Sequence, residues 1–246
     1  MAVEKLVYLM WGDGSPESGD RLRGQLLGDT AGQVVAAGAR AVTVHVHDAA
    51  AAEAPSPVPT PQGEDPHVAE LSVWVDSYDR RDRVEEIVGA IGLTTAGYLV
   101  VESLYEDYGT TPHATPRSWA DGERSPGVLT VSLIHRPADL EYATWIERWH
   151  GTQSPLSGRL QPRCRYVRNE VVRPLSKDAP EIHGIVEEAW PSAGHVADPM
   201  LFFNAGGDPA RLSENVTVML DSVNACLDLS RLRNVTMSEY LVKTLA

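Results

Sequence analysis

The chain has little of what settles a protein's class at first sight. It has two cysteines, Cys164 and Cys226, and neither belongs to a CxxC pair. That excludes a disulfide framework and a cysteine-built metal site, and predicts two reduced, buried thiols in a cytoplasmic protein. Basic residues are scarce: 21 Lys and Arg stand against 34 Asp and Glu, a formal net charge of −13. Displacing phosphate counterions needs the opposite sign, so nucleic acid and anionic membrane surfaces are excluded as partners, and the acidity reads as a solubility feature. No long apolar run is present either. Lys5 is followed by only six apolar residues, too few for a signal-peptide core or a membrane span. Without a secretion signal, the sequons Asn215-Val-Thr217 and Asn234-Val-Thr236 carry no meaning.

Nucleotide and nucleophile signatures are missing as well. The chain has no P-loop, no GxSxG elbow, and no GxGxxG between a strand and a helix; Gly12-Asp-Gly14 reads as a turn. Nothing points to a flavin, a nicotinamide or a haem. The expectation is no cofactor, no metal, and either cofactor-free chemistry or none.

What the sequence does contain is one pattern written twice. Leu6–Trp11 is an apolar run, Arg21–Ala37 has helical spacing, and Ala41–His47 alternates with period two. Leu71–Val75 reads as the next strand, Val84, Ile87, Val88 and Ile91 fall at helical spacing, and Tyr98–Tyr105 closes the round. Val128–His135 opens a second round, followed by a helix over Leu140–His150, strands at Cys164–Val172 and Ile182–Ala189, an apolar helical stripe from Val216 to Leu227, and a closing strand at Asn234–Lys243. Between strands, residues 49–66 hold five prolines and read as a mobile loop. Each round is β-α-β-β-α-β, the ferredoxin-like order. The expected fold is therefore α+β: residues 1–106 form a first ferredoxin-like repeat, 107–127 a linker, and 128–246 a second repeat. Helices cover one face of each antiparallel sheet. The other faces, still apolar, pack together into an intrachain α+β barrel. At 246 residues and 43% hydrophobic content the chain can fill such a core.

The second round also carries Trp145-Ile-Glu-Arg-Trp149-His-Gly-Thr-Gln153-Ser-Pro155-Leu156, then Tyr166-Val-Arg-Asn169. This resembles the EthD-like family of the dimeric α+β barrel superfamily, whose pattern is an aromatic residue, Trp four later, His four after that, a Pro-Leu segment and a Tyr-x-x-Asn strand. The resemblance covers most of residues 128–243; the first round shares only its element order. It implies the barrel fold and relatives among cofactor-independent cyclases, dehydratases, monooxygenases and lactone isomerases. The family histidine would fall at position 153, where this chain has Gln153, which hydrogen-bonds but does not titrate.

The candidate site follows from these readings. His45 and His47 share the strand face opposite Val42, Val44 and Val46. With the valines under the helices, the histidines point into the barrel, where desolvation keeps them neutral and able to act as general base. As a metal pair they lack an evident third ligand. Tyr8 and Tyr98 are candidate hydrogen-bond donors to a ligand, His135 ends a strand facing the cavity, and Trp149, Gln153 and Tyr166 come from the family motif. The leading expectation is a barrel that binds a small apolar, aromatic or polyketide-like molecule and, as an enzyme, catalyses cofactor-free cyclisation, dehydration or isomerisation. The alternatives are a non-catalytic ligand-binding or accessory protein, and a module that forms homo-oligomers through exposed sheet edges.

Overall fold

The computed structural model describes residues 3–245. The first half runs β1 (Glu4–Trp11), α1 (Pro16–Gln25), a π-helical turn (Leu26–Thr30) leading into α2 (Ala31–Ala36), β2 (Ala41–Val46), β3 (His67–Val75), α3 (Asp82–Gly89) and β4 (Thr94–Glu106). The second runs β5 (Val128–Ile134), α4 (Tyr142–Ile146), a π-helical turn (Glu147–Gln153), α5 (Ser154–Leu160), β6 (Arg165–Pro174), β7 (Gly184–Trp190), short helices α6 (Ala193–Ala197) and α7 (Pro199–Phe202), α8 (Pro209–Asn224) and β8 (Arg233–Lys243). Local chemistry sets the helix starts. Ser15 accepts the Ser18 amide ahead of Pro16, and Asp208 accepts the Ala210 and Arg211 amides ahead of Pro209. Gly19 lets α1 lie against the end of β2: a Cβ there would sit 1.8 Å from the His47 carbonyl oxygen.

All eight strands join one antiparallel sheet, closed in the order β1-β3-β2-β8-β5-β7-β6-β4. Within the first half the order is β4-β1-β3-β2, and within the second β8-β5-β7-β6, so corresponding strands occupy corresponding places. The closure departs from the expectation of two sheets laid face to face. The outer strands of one half hydrogen-bond to those of the other, β2 to β8 with His45 opposite Glu239, and β4 to β6 with Glu102 opposite Asn169. An edge strand carries a row of unpaired N–H and C=O groups, and closure satisfies all of them at once. No sheet edge is left among the described strands for oligomerisation, which removes that alternative in its edge-pairing form.

Strand alternation divides the side chains. In the first half, Leu6, Tyr8, Met10, Val42, Val44, Val46, Leu71 and Val73 face outward under α1–α3 in one buried cluster. Val7, Leu9, Tyr98, Leu129, Val131, Leu133, Ile185, Val235 and Met237 face inward and pack across the barrel. The proline-rich segment 49–66 is not the loose loop expected. Ala51 and Ala54 are buried, and the Ser56 hydroxyl donates to the Asn234 carbonyl. The segment 107–127 is likewise tied down: the Gly122 and Ser125 amides donate to the Leu241 and Glu239 carbonyls along β8.

His67 is an inward-reaching residue that sequence patterning did not single out. The pairing slips by one residue between Met10 and Trp11, so that Trp11 faces His67 and Met10 faces Ala69. The buried imidazole donates from Nε2 to the Val131 carbonyl at 3.1 Å. Burial drives its pKa down to about 4, with the neighbouring His47 adding to the shift and the bond to Val131 opposing it. The unfolded chain therefore takes up the extra proton first. The contribution of the neutral ring is complete above about pH 6.5 and drains away as pH falls towards 4. Denaturant titrations across this range should show wild type losing about 3 kcal/mol more than His67→Gln, whose amide keeps the donor without the titration. Parallel pH profiles for the two proteins would refute the assignment.

Candidate functional site

The barrel interior holds a layer of charge beside its aliphatic layer. Lys5 Nζ lies 2.9 Å from both Glu102 and Glu187. Arg165 Nη1 lies 2.9 Å from Glu239 and 3.3 Å from Glu187. Asn169 Nδ2 donates to Glu187 at 2.7 Å, the Tyr108 hydroxyl to Glu239 at 2.7 Å, and the Ser72 hydroxyl to Glu70 at 2.7 Å. His45 stands among these carboxylates, fully buried. Its direction into the barrel is as expected, but its protonation state is reversed. Burial pushes the ring pKa down, and Glu70, Glu239 and Glu187 override that and raise it to about 10. Burial likewise pushes Glu187 and Glu239 up, yet Lys5, His45 and Arg165 hold Glu187 far below the usual range, and Arg165 and His45 bring Glu239 to about 2. A histidine held this way is a cation, not a neutral base.

The open volume lies elsewhere, on the outer face of the second half. A cavity of about 430 Å³ separates the β5–β7–β8 face from the helices above it. Its floor carries Thr130, Ser132 and Ile134 at alternate positions of β5, Glu188 and Trp190 of β7, Tyr166 of β6 and Asn234 of β8. One wall is formed by Trp149, Gln153 and Ser157, at four-residue intervals along the α4–α5 helix, and by Gln161 just past its end. The π-helical turn supplies the extra residue that keeps them on one side. The other wall is Met219, Leu220, Val223 and Leu227 at the α8 end, with Pro57 and Val58 at the rim. Helix α8 stands off the sheet and buries only Met219.

The floor differs in kind from its counterpart. Where β1 turns Leu6, Tyr8 and Met10 towards the helices, β5 turns Thr130, Ser132 and Ile134. The floor polar groups are organised. Trp190 Nε1 donates to the Thr130 hydroxyl at 3.0 Å, and Asn234 Nδ2 donates to the Ser132 hydroxyl at 2.7 Å. At one end Arg163, itself buried, bonds Glu188 at 3.1 Å, Glu106 at 3.0 Å and the Ser157 hydroxyl at 2.7 Å, with its guanidinium 3.9 Å over the Tyr166 ring. Burial raises the Glu188 pKa, and the pull of Arg163 does not undo it. Gln153 Nε2 contacts the Met219 sulfur at 3.3 Å, while its Oε1 is buried without a partner among the described residues.

Of the residues proposed from sequence, Trp149, Gln153 and Tyr166 come together around this cavity. The others lie outside its lining. Tyr8 is buried under the first-half helices, its hydroxyl without a described partner. Tyr98 lies inside the barrel and donates to the Pro180 carbonyl at 2.8 Å. His135 bonds the Glu181 carbonyl at 2.7 Å, and burial lowers its pKa. His47, beyond the end of β2 and half-buried, donates from Nδ1 to the Thr236 carbonyl at 2.7 Å, so it is separated from His45. Sequence reasoning missed Thr130, Ser132, Arg163, Glu188 and Asn234. For Thr130, Ser132 and Glu188 a signal was available: polar residues at strand positions where the first half turns apolar side chains to its helices.

No family model matches the sequence, and no curated protein matches it. Solved structures do. The chain is similar to an anthrone oxidase-like protein, with a TM-score of 0.57 at 12% identity over 99% of this chain and 95% of that one. It is also similar to a protein described as a candidate monooxygenase from Lactobacillus acidophilus NCFM, with a TM-score of 0.46 at 9% identity over 99% and 98% of the two chains. Chlorite dismutase from Candidatus Nitrospira defluvii gives 0.41 at 10% identity over 96% and 90%. What the chain shares with the first of these is the fold. In this chain that fold is a closed eight-stranded antiparallel barrel with its helices outside. Among the described residues no helix is long and apolar enough to cross a membrane.

The charged interior has a direct mechanical test. Lys5→Met removes one cation from between Glu102 and Glu187 and strands buried charge, which costs about 3–5 kcal/mol when one partner of a buried pair is deleted. Urea denaturation should report that loss; a change below about 1 kcal/mol would show that the carboxylates are neutralised some other way.

Proposed function

We propose that the protein is an EthD-like barrel of two ferredoxin-like repeats, residues 1–106 and 128–246 joined by 107–127, and that the second repeat binds a small aromatic or polyketide-like compound between its sheet and helices. The observation that carries this reading is the polar floor. A sheet face covered by helices is ordinarily aliphatic, as in the first half; here hydroxyls, an amide and a carboxyl stand on it, held by partners within the protein and turned to an open cavity where they can meet a bound molecule. A cavity of about 430 Å³ with apolar walls and a few convergent polar groups has the size and lining of a small-molecule site. Trp149, Met219, Val223 and Leu227 suit the flat apolar body of such a ligand, and the unpartnered Gln153 Oε1 accepts from a hydroxyl on it.

The chemistry in this reading is proton transfer without a cofactor: dehydration, cyclisation or isomerisation. Glu188 is the proton carrier. A carboxyl raised by burial at the edge of an apolar pocket takes and returns a proton closer to neutral pH than an exposed one. His45 then belongs to the charged interior of the barrel and takes no part in this chemistry, and His47 is an anchor to β8. The second reading, a non-catalytic binder, rests on Gln153 occupying the position where the resemblance places a histidine. The two free, buried thiols fit a cytoplasmic setting.

Native mass spectrometry of the purified protein, with tryptophan quenching by a series of hydroxylated bicyclic and tricyclic aromatics, tests the proposal. One bound molecule per chain is expected. Gln153→Leu should weaken binding about tenfold, the loss of one buried hydrogen bond. Glu188→Gln should keep binding and remove turnover. Binding without turnover in wild type favours the second reading. No binding by any of the series, or binding indifferent to Gln153→Leu, refutes the pocket assignment.

A further inference from the structure

The charged layer inside the barrel also brings three donors from different strands close together. His45, Glu70 and Glu187 each place one ligand atom within 4.8 Å of the others, and all three are buried. His45 and Glu70 face each other in register on β2 and β3, and Glu187 reaches them from β7 in the other half. We infer that this interior binds one divalent transition-metal ion, with His45, Glu70 and Glu187 as its protein ligands. The inference is independent of the pocket, since Glu187 and Glu188 project from opposite faces of β7.

Three observations support it. The first is the state of His45. Its side chain is 0% exposed, and neither ring nitrogen has a hydrogen-bond partner among the described residues. Glu70 lies 3.4 Å from Nδ1, and Glu239 and Glu187 lie 3.7 and 3.9 Å from Nε2. These separations are long or poorly aligned for hydrogen bonds. Only one ring nitrogen can bind a given ion, at about 2.0–2.2 Å; the other, still carrying its proton, faces the remaining carboxylate. Glu70 Oε2 is a second buried atom without a described partner. Buried polar groups left open in this way call for a ligand, an ion or water.

The second is charge. Four carboxylates, Glu70, Glu102, Glu187 and Glu239, face two permanent cations, Lys5 and Arg165. A metal ion would take the place of the proton that His45 carries without it; the neutral ring then leaves two negative charges, and one divalent ion cancels both. A proton on His45 cancels one.

The third is the support around the donors. Ser72 fixes Glu70 Oε1 at 2.7 Å, and Lys5 and Asn169 fix Glu187 Oε1 at 2.9 and 2.7 Å. Such outer contacts orient the carboxylates of metal sites. One imidazole and two carboxylates are the donors of Zn²⁺, Mn²⁺ and Fe²⁺ sites, not of soft thiolate sites. An approach exists at the Lys5–Glu102 end, where a hollow of about 520 Å³ is lined by Lys5, Trp74 and Glu102. Because its ligands come from both halves, the ion is a cross-link across the barrel.

The full chain, unfolded with chelator and refolded with Zn²⁺, Mn²⁺ or Co²⁺ or with none, tests this directly. After gel filtration, elemental analysis should give about one ion per chain, with a raised thermal midpoint and, for Co²⁺, visible ligand-field bands. Glu70→Gln and His45→Gln should each lower the content below about a tenth of an ion, whereas Glu102→Gln, on the Lys5 side, should retain it. Should the ligand variants fail to fold, the wild-type Co²⁺ spectrum decides by itself. Wild type that carries no ion after refolding with any of the three metals, or metal retained by folded Glu70→Gln, overturns the inference in favour of a hydrated proton-sharing network.

Discussion

Inside a closed sheet barrel there is little solvent to stabilise a carboxylate, so Glu70, Glu187 and Glu239 need positive partners brought to the same level of the barrel. That requirement reaches across the molecule. Lys5, His45 and Glu70 come from the first half; Arg165, Glu187 and Glu239 come from the second. Lys5 meets Glu187, His45 meets Glu239, and Arg165 joins Glu187 to Glu239. The second half has one cation, Arg165, for its two carboxylates, so Glu187 and Glu239 find their remaining counter-charges only once the strands of both halves hydrogen-bond into one barrel. Replacing such a network by hydrocarbon is often neutral or stabilising. Its value here lies in specifying which strands meet and in which register.

A packed, charged interior moves the open volume outward. The first half closes its outer face with aliphatic side chains under α1–α3, while the second half puts hydroxyls, an amide and a carboxyl under helices that stand further off. Two halves with the same strand order thus do different work. One supplies dry packing. The other supplies a cavity whose floor is rigid, because its polar groups sit on strands held in register on both sides.

The element order and the inward direction of His45 were legible in the sequence, because period-two and helical patterns are local. Trp149 and Gln153 were legible as neighbours for the same reason, and the Tyr-x-x-Asn strand put Tyr166 beside them. The closure was not. The β2–β8 and β4–β6 seams join residues from opposite halves, and nothing in a strand records which distant strand will meet it. The charge of His45 was hidden for that reason too: burial of the ring could be inferred, but Glu70, Glu187 and Glu239 arrive on three other strands. Consecutive Glu187 and Glu188 read as one acidic patch, whereas the pleat sends one into the barrel and the other into the pocket. Residues 49–66 looked like a free loop because proline content reports backbone geometry and not the Asn234 and pocket contacts that hold the segment.

The placement of the interior charges has a consequence for the chain before it is fully folded. Each half taken alone would be a four-stranded sheet with two bare edges: β2 and β4 in the first, β6 and β8 in the second. Each of those edge strands points an ionisable side chain towards the barrel axis, His45, Glu102, Arg165 and Glu239 respectively. A foreign strand docking on such an edge would trap that group against apolar surface without its counter-ion, the device by which natural sheets discourage edge-to-edge aggregation. The proper other half brings the missing counter-charge along with the missing hydrogen bonds. During synthesis, when the first half emerges ahead of its partner, the same groups that later fill the barrel guard its unfinished rims.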